Sequence, residues 1–127
     1  MLYICYKKCT TCKKVEKLMQ DKKLSCQTRE IDKENPSKEE LKKWYEESGL
    51  DIKRFFNTSG KIYREENLKD KLKEMSLDEK LERLSKDGML VKRPILIDGD
   101  KFFIGPDVKK YIESLWNLIK ITKFIDK

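Results

Sequence analysis

The sequence contains no histidine. That removes the imidazole ligands of mixed cysteine–histidine zinc sites. Glycine and proline are sparse, 5 and 3 in 127 residues. They fall where they punctuate the chain: Pro36, Gly49, Gly60, Gly88, Pro94, Gly99, Gly105 and Pro106. No apolar run approaches the length that spans a bilayer, and no signal-peptide pattern opens the sequence. A cytoplasmic location with no membrane partner is therefore expected. In a reducing cytosol the 4 cysteines do not form a structural disulfide framework. There is no basic block interleaved with aromatics and no nucleic-acid module, so no direct nucleic-acid partner is expected. Repeats, low-complexity stretches and flexible linkers are also missing. A single domain over residues 1–127 is expected, as a monomer.

What is present is charge: 30 Lys and Arg against 23 Asp and Glu, a net +7. The lysines are spread through nearly every segment, which reads as a solvated surface rather than a binding block. The chain is organised around Cys9-Thr10-Thr11-Cys12. An apolar run, Leu2 to Tyr6, precedes it as a buried first strand. A helix over about Thr10–Lys22 follows, with Val15, Leu18 and Met19 on one face. A cysteine at a helix start meets unpaired backbone N–H groups and the positive end of the helix dipole, both of which favour a thiolate. The thiolate is the nucleophile, and a second cysteine one turn on can resolve a mixed disulfide. The expectation is that Cys9 attacks and Cys12 resolves. Thr10 and Thr11 are helix-start residues at the edge of a substrate site, Thr10 with a hydroxyl to offer near the thiol. Lys13 and Lys14 belong to the solvated face, and either adds positive potential near Cys9. Cys5 and Cys26 read as packing residues within strands. A four-thiolate zinc site from Cys5, Cys9, Cys12 and Cys26 is the competing arrangement, with nothing else in its favour.

A second strand is expected over Cys26–Asp32, giving a right-handed βαβ unit. Asn35-Pro36 stops it. From there to Lys86 the chain is nearly all helix, with capping boxes at Ser37–Glu40 and Ser76–Glu79. Trp44, Tyr45, Phe55, Phe56 and Trp116 read as packing rather than a ligand box. After Asp87-Gly88, the runs Met89–Ile97 and Lys101–Ile104 are joined by Asp98-Gly99-Asp100, a strong hairpin signal. Arg93 beside Pro94 is an odd place for a charge within an apolar run. Pro106 suits a first helical position, and Val108, Tyr111, Ile112 and Leu115 give the last helix one apolar face. Trp116 onward, with Ile119, Ile121, Phe124 and Ile125, continues that helix or packs as a tail. The order is βαβ, a helical insertion at about 35–88, then ββα. That is an α/β, thioredoxin-like (glutaredoxin-like) core.

The Cys9–Cys12 start, the Arg93-Pro94-Ile95 segment and the helical insertion together resemble the arsenate reductase-like family (ArsC/Spx), over about Leu2 to Leu115. The segment Phe55–Gly60 followed by Tyr63-Arg64-Glu65 resembles the small uncharacterised bacterial members most. The resemblance implies a thioredoxin fold with Cys9 as nucleophile, Arg93 as an active-site arginine and Pro94 as a cis proline facing the dithiol. It implies a thiol-dependent oxidoreductase with no resident cofactor, reduced by glutathione or by a thioredoxin- or glutaredoxin-type protein. Two further arginines that hold the oxyanion in dedicated arsenate reductases correspond to Asn57 and Gly105 here, which argues against tight arsenate binding. Asn57 and Pro94 are nonetheless expected to border the substrate. The Spx branch implies an alternative: a non-enzymatic, redox-switched transcriptional regulator that binds the C-terminal domain of the RNA polymerase α subunit.

Overall fold

The structure is a computed structural model that describes residues 1–125, with side chains through Leu118. The first strand, β1 (Leu2–Cys5), leads into α1 (Thr10–Asp21) and β2 (Gln27–Glu30). Cys26, expected within the second strand, therefore lies one residue ahead of β2. Four helices follow: α2 (Lys38–Ser48), α3 (Lys61–Glu65), α4 (Leu68–Lys71) and α5 (Leu77–Lys86). The hairpin β3 (Ile95–Asp98) and β4 (Lys101–Ile104) then leads to α6 (Pro106–Ile125). The strands form one mixed sheet in the order β2-β1-β3-β4, with β1 parallel to β2 and antiparallel to β3. This is the α/β, thioredoxin-like architecture expected from the element order.

Alternation along β1 separates two packed layers, because successive strand side chains face opposite sides. Tyr3 and Cys5 face α1 and α6, in a cluster with Cys12, Val15, Met19, Leu96, Val108 and Ile112. Ile4 faces the other way, into the larger cluster filled by Leu41, Trp44, Phe55, Phe56, Leu81 and Leu84. Phe102 of β4 stacks with both Trp44 and Phe55, at centroid distances of 5.5 and 5.3 Å, and so ties the α2–α5 layer to the sheet.

Local chemistry sets the boundaries. Both expected capping boxes form, Ser37 with Glu40 and Ser76 with Glu79. Gly49 closes α2 at φ +68°, a left-handed conformation in which its N–H reaches the Tyr45 carbonyl. The expected strand from Met89 is shorter than its apolar run. The Asp87 side chain accepts from the Met89 N–H and turns Gly88–Leu90 into a 3-10 turn, so β3 begins only at Ile95. Gly88 has no room for a side chain: a Cβ there would meet the Ile31 carbonyl and Asn35 Oδ1. The stretch before β3 is held by the insertion instead. Asn57 N–H donates to the Leu90 carbonyl and Lys92 N–H to the Phe55 carbonyl, each at 2.8 Å. That short ladder delivers Arg93 and Pro94 to the end of the sheet. The backbone of α6 continues to Ile125, and Trp116 sits under the Lys22 ammonium at 5.0 Å. The expected packing of Ile119, Ile121, Phe124 and Ile125 lies outside the described side chains. No helix among the described residues is long and apolar enough to cross a membrane.

Candidate functional site

Cys9 is the N-cap residue of α1, in an extended conformation (φ −79°, ψ 123°). Its side chain makes no capping bond and is half-buried. The first turn of α1 contains no acidic residue. Its backbone is fixed from both directions: Cys9 N–H donates to the Tyr6 carbonyl at 2.9 Å, and the Cys9 carbonyl accepts from Lys13 N–H at 3.1 Å. Thr10 and Thr11 are exposed on the outer side of the same turn.

Cys12 points inward and is 1 % exposed. Its Sγ accepts from the Tyr6 N–H at 3.4 Å, and its carbonyl accepts from the Tyr3 hydroxyl at 2.8 Å. Cys5 and Cys12 are buried in one cluster, and the partly buried Cys9 packs against it. The Cys12 pKa is raised, first by the hydrogen bond it donates to Cys5 and then by burial. Cys5 is shifted the opposite way, held below the ordinary thiol value by that same bond. Cys26 stands apart, its thiol donating to Met19 Sδ at 3.8 Å and pushed up by burial. Among the described residues no group of three or more Cys, Asp or Glu is placed to hold a metal ion.

The Arg93–Pro94 peptide is cis, and Pro94 is buried. The Arg93 guanidinium lies 5.1 Å over the ring of Tyr6 and donates from Nη1 to the Met89 carbonyl at 3.2 Å. Tyr6 is thus the shared neighbour of the site: its ring meets Arg93, its N–H meets Cys12, and its carbonyl meets Cys9. Arg93 Nε is buried and has no hydrogen-bond partner among the described residues. Arg93 and Thr11 line the same pocket of about 830 Å³, which runs between α1, Gly105-Pro106 and the start of α6.

Asn57 and Gly105 behave differently from the rest. The Asn57 Oδ1 accepts from the Ser59 hydroxyl at 3.4 Å, so the side chain is engaged in its own turn and is not among the pocket's lining residues. Gly105 does line the pocket, but at φ +62°, and its N–H donates to the Pro94 carbonyl at 2.8 Å. A Cβ at Gly105 would come within 3.2 Å of Lys92 Cε. An arginine at that position is disfavoured both by the left-handed backbone and by the lysine beside it. The pocket has cations that the sequence reading left in the solvated surface: Lys17, Lys92, Lys109 and Lys110 join Lys14 and Arg93 around it, against Asp21 and Glu113. The available signal was the Lys109-Lys110 pair one turn past Gly105-Pro106.

A four-stranded mixed sheet, a cysteine at the N-cap of α1 and a cis proline just before β3 together define a thioredoxin-like fold. The model of the ArsC family matches residues 4–113, and the chain belongs to that family. The uncharacterized protein YusI of Bacillus subtilis is 54% identical over 100 residues, covering 79% of this chain and 85% of YusI. The regulatory protein MgsR of the same organism is 30% identical over 105 residues, covering 83% of this chain and 82% of MgsR. The crystal structure of a possible arsenate reductase from Streptococcus mutans matches with a TM-score of 0.77 at 42% identity, covering 83% of this chain and 89% of that one.

Proposed function

We propose that this chain is a thiol-dependent oxidoreductase that exchanges its Cys9–Cys12 dithiol with a substrate carrying negative charge. The observation behind this reading is the half-buried Cys9 at the tip of α1, packed against the cluster that holds the buried Cys12 of the same helix. In the exchange, the Cys9 thiolate attacks one sulfur of a substrate disulfide, forming a mixed disulfide and releasing the first thiolate. Cys12 then loses its proton and attacks Cys9 Sγ, releasing the second thiolate and leaving a Cys9–Cys12 disulfide. Two electrons pass from protein to substrate, and an external thiol returns them. Glutathione or a thioredoxin- or glutaredoxin-type protein fills that role, with no resident cofactor.

Arg93 is the electrostatic partner. Its unpartnered Nε and the surrounding lysines favour a bound anion, and Thr10, Thr11 and Pro94 border the place where that anion sits beside Cys9. The turn-bound Asn57 and the glycine at 105 speak for thiol–disulfide exchange rather than tight arsenate binding. The test is exchange by purified Cys9→Ser and Cys12→Ser variants. Cys9→Ser is expected to lose activity, and Cys12→Ser to stall as a mixed disulfide. Activity that survives Cys9→Ser removes Cys9 from the mechanism.

The 30% identity to a protein named as regulatory favours a second reading, a redox-switched regulator in which the same dithiol sets affinity for the RNA polymerase α C-terminal domain. A pull-down with that domain in oxidised and reduced states separates the two. No binding in either state removes the regulator.

A further inference from the structure

Cys5 has no part in a two-cysteine exchange, yet it lies beside one. It closes β1 on the same sheet face as Tyr3, 5 % exposed, in the cluster that also holds Cys12 and Val15. Cys12 Sγ, the deepest of the three thiols at 1 % exposed, lies 3.4 Å from the backbone N of Tyr6, the residue that follows Cys5, and Cys9 packs against the same cluster. Cys5 and Cys9 have separate surroundings. Thr11, the next but one after Cys9, lines the basic pocket with Arg93. Cys5 lines a different pocket of about 320 Å³ at the β1–β2 edge, with Lys7, Glu16 and Arg29, and no residue is common to the two linings.

We propose that Cys5 is a third redox thiol, which takes over the disulfide from Cys9 and leaves a Cys5–Cys12 bond in its place. The inference rests on the exchange reading above, whose substrate disulfide supplies the oxidising equivalents. The step itself is an exchange and needs no further oxidant. The Cys5 thiolate attacks Cys12 Sγ, the Cys5–Cys12 bond forms, the Cys9–Cys12 bond breaks, and the electron pair leaves on Cys9 as thiolate. Cys5 gives up its proton before the attack, and the β1–β2 pocket that it lines gives that proton a route to solvent. Cys9 regains its nucleophile while the protein stays oxidised, and the β1–β2 pocket offers a reducing thiol an approach to Cys5 apart from the substrate's.

The experiment uses the unaltered chain. Reduced protein is mixed with one equivalent of hydroxyethyl disulfide, quenched at intervals with excess N-ethylmaleimide and digested with trypsin for mass spectrometry. Cleavage puts Cys5 in the peptide Met1–Lys7, and Cys9 with Cys12 in the peptide Cys9–Lys13. An internal disulfide in Cys9–Lys13 is expected first, followed by a cross-link between the two peptides in which Cys9 bears the maleimide. In Cys5→Ala only the internal disulfide is expected, formed at the wild-type rate. A cross-link that stays at the background of the Cys12→Ser variant, while the internal disulfide forms, overturns the third thiol and leaves the dithiol exchange standing. No internal disulfide in any sample overturns the exchange, and the third thiol with it.

Discussion

Arg93 is the residue whose surroundings are hardest to explain by packing alone. A buried guanidinium N–H without a partner costs free energy, on the order of 1–3 kcal/mol or more for a charged group, unless a ligand or water meets it. Its planar group lies over the Tyr6 ring, a geometry that a lysine ammonium does not reproduce. Arg93→Lys keeps the charge and loses the fork and the stacking. Turnover of an anionic disulfide, oxidised glutathione, should fall about tenfold in kcat/KM, equivalent to about 1.4 kcal/mol, with a smaller fall for neutral hydroxyethyl disulfide. Equal losses on the two substrates would take anion recognition away from Arg93. At this scale the sequence shows Cys9, Cys12 and the oddly placed Arg93-Pro94 directly, since spacing and neighbours are local properties. The burial of Cys5 in one cluster with Cys12 is not local. It depends on which face of β1 Cys5 takes and on how α1 is rotated against it, and the alternation Tyr3-Cys5 against Ile4 fixes the face only once the two layers are known.

The helix α2 shows how an element is anchored by the strand before it. Arg29 of β2 donates to both Glu40 oxygens, at 2.8 and 3.0 Å, and to the carbonyls of Glu34 and Asn35. Glu40 also completes the capping box by accepting from the Ser37 N–H at 3.0 Å. One carboxylate therefore closes the β2–α2 corner and starts the helix. Hydrogen bonding from Arg29 holds the Glu40 carboxyl below its ordinary value. A depressed carboxylate stabilises the fold fully above the unfolded-chain value, about 4.3, and loses that contribution as pH falls through the lower folded value. Glu40→Gln should lower stability by about 1 kcal/mol at neutral pH, since the pair is partly solvated, and the difference from wild type should shrink below about pH 4. Denaturant titrations at the two pH values check this; a pH-independent difference would mean that the carboxylate's charge is not what matters. The capping box was legible as Ser37-x-x-Glu40. The partner Arg29 was not, because it lies in a strand 11 residues earlier. The late start of β3 was hidden for a similar reason. The apolar run from Met89 has strand character throughout, but Leu90 and Lys92 spend their backbone groups on Asn57 and Phe55 of the insertion.

On the scale of the whole molecule, the net charge of +7 takes on a direction that the linear order conceals. Lys14 and Lys17 come from α1, Lys92 and Arg93 from the cis-proline loop, and Lys109 and Lys110 from α6, yet all six line one pocket with only Asp21 and Glu113 against them. Folding of the sheet brings these three segments together: β1 pairs with β3, β3 with β4, and Gly105 turns the chain into α6 against the Pro94 carbonyl. The Arg54–Asp107 ion pair, at 2.7 Å, joins the insertion to the first turn of α6 and uses one of the few acids at this end. A concave basic surface concentrates anions near it, and the effect weakens as the Debye length contracts from about 30 Å at 0.01 M salt to about 8 Å at 0.15 M. Exchange with oxidised glutathione should therefore slow about tenfold over that range, while exchange with hydroxyethyl disulfide changes little. Replacing Lys109 and Lys110 together by Glu should flatten the salt dependence for the anionic substrate without touching the neutral one, because both side chains are exposed on α6 and take no part in its packing on α1. If both substrates respond to salt alike, the pocket is only a solvated surface, and the choice of substrate rests on Arg93 alone.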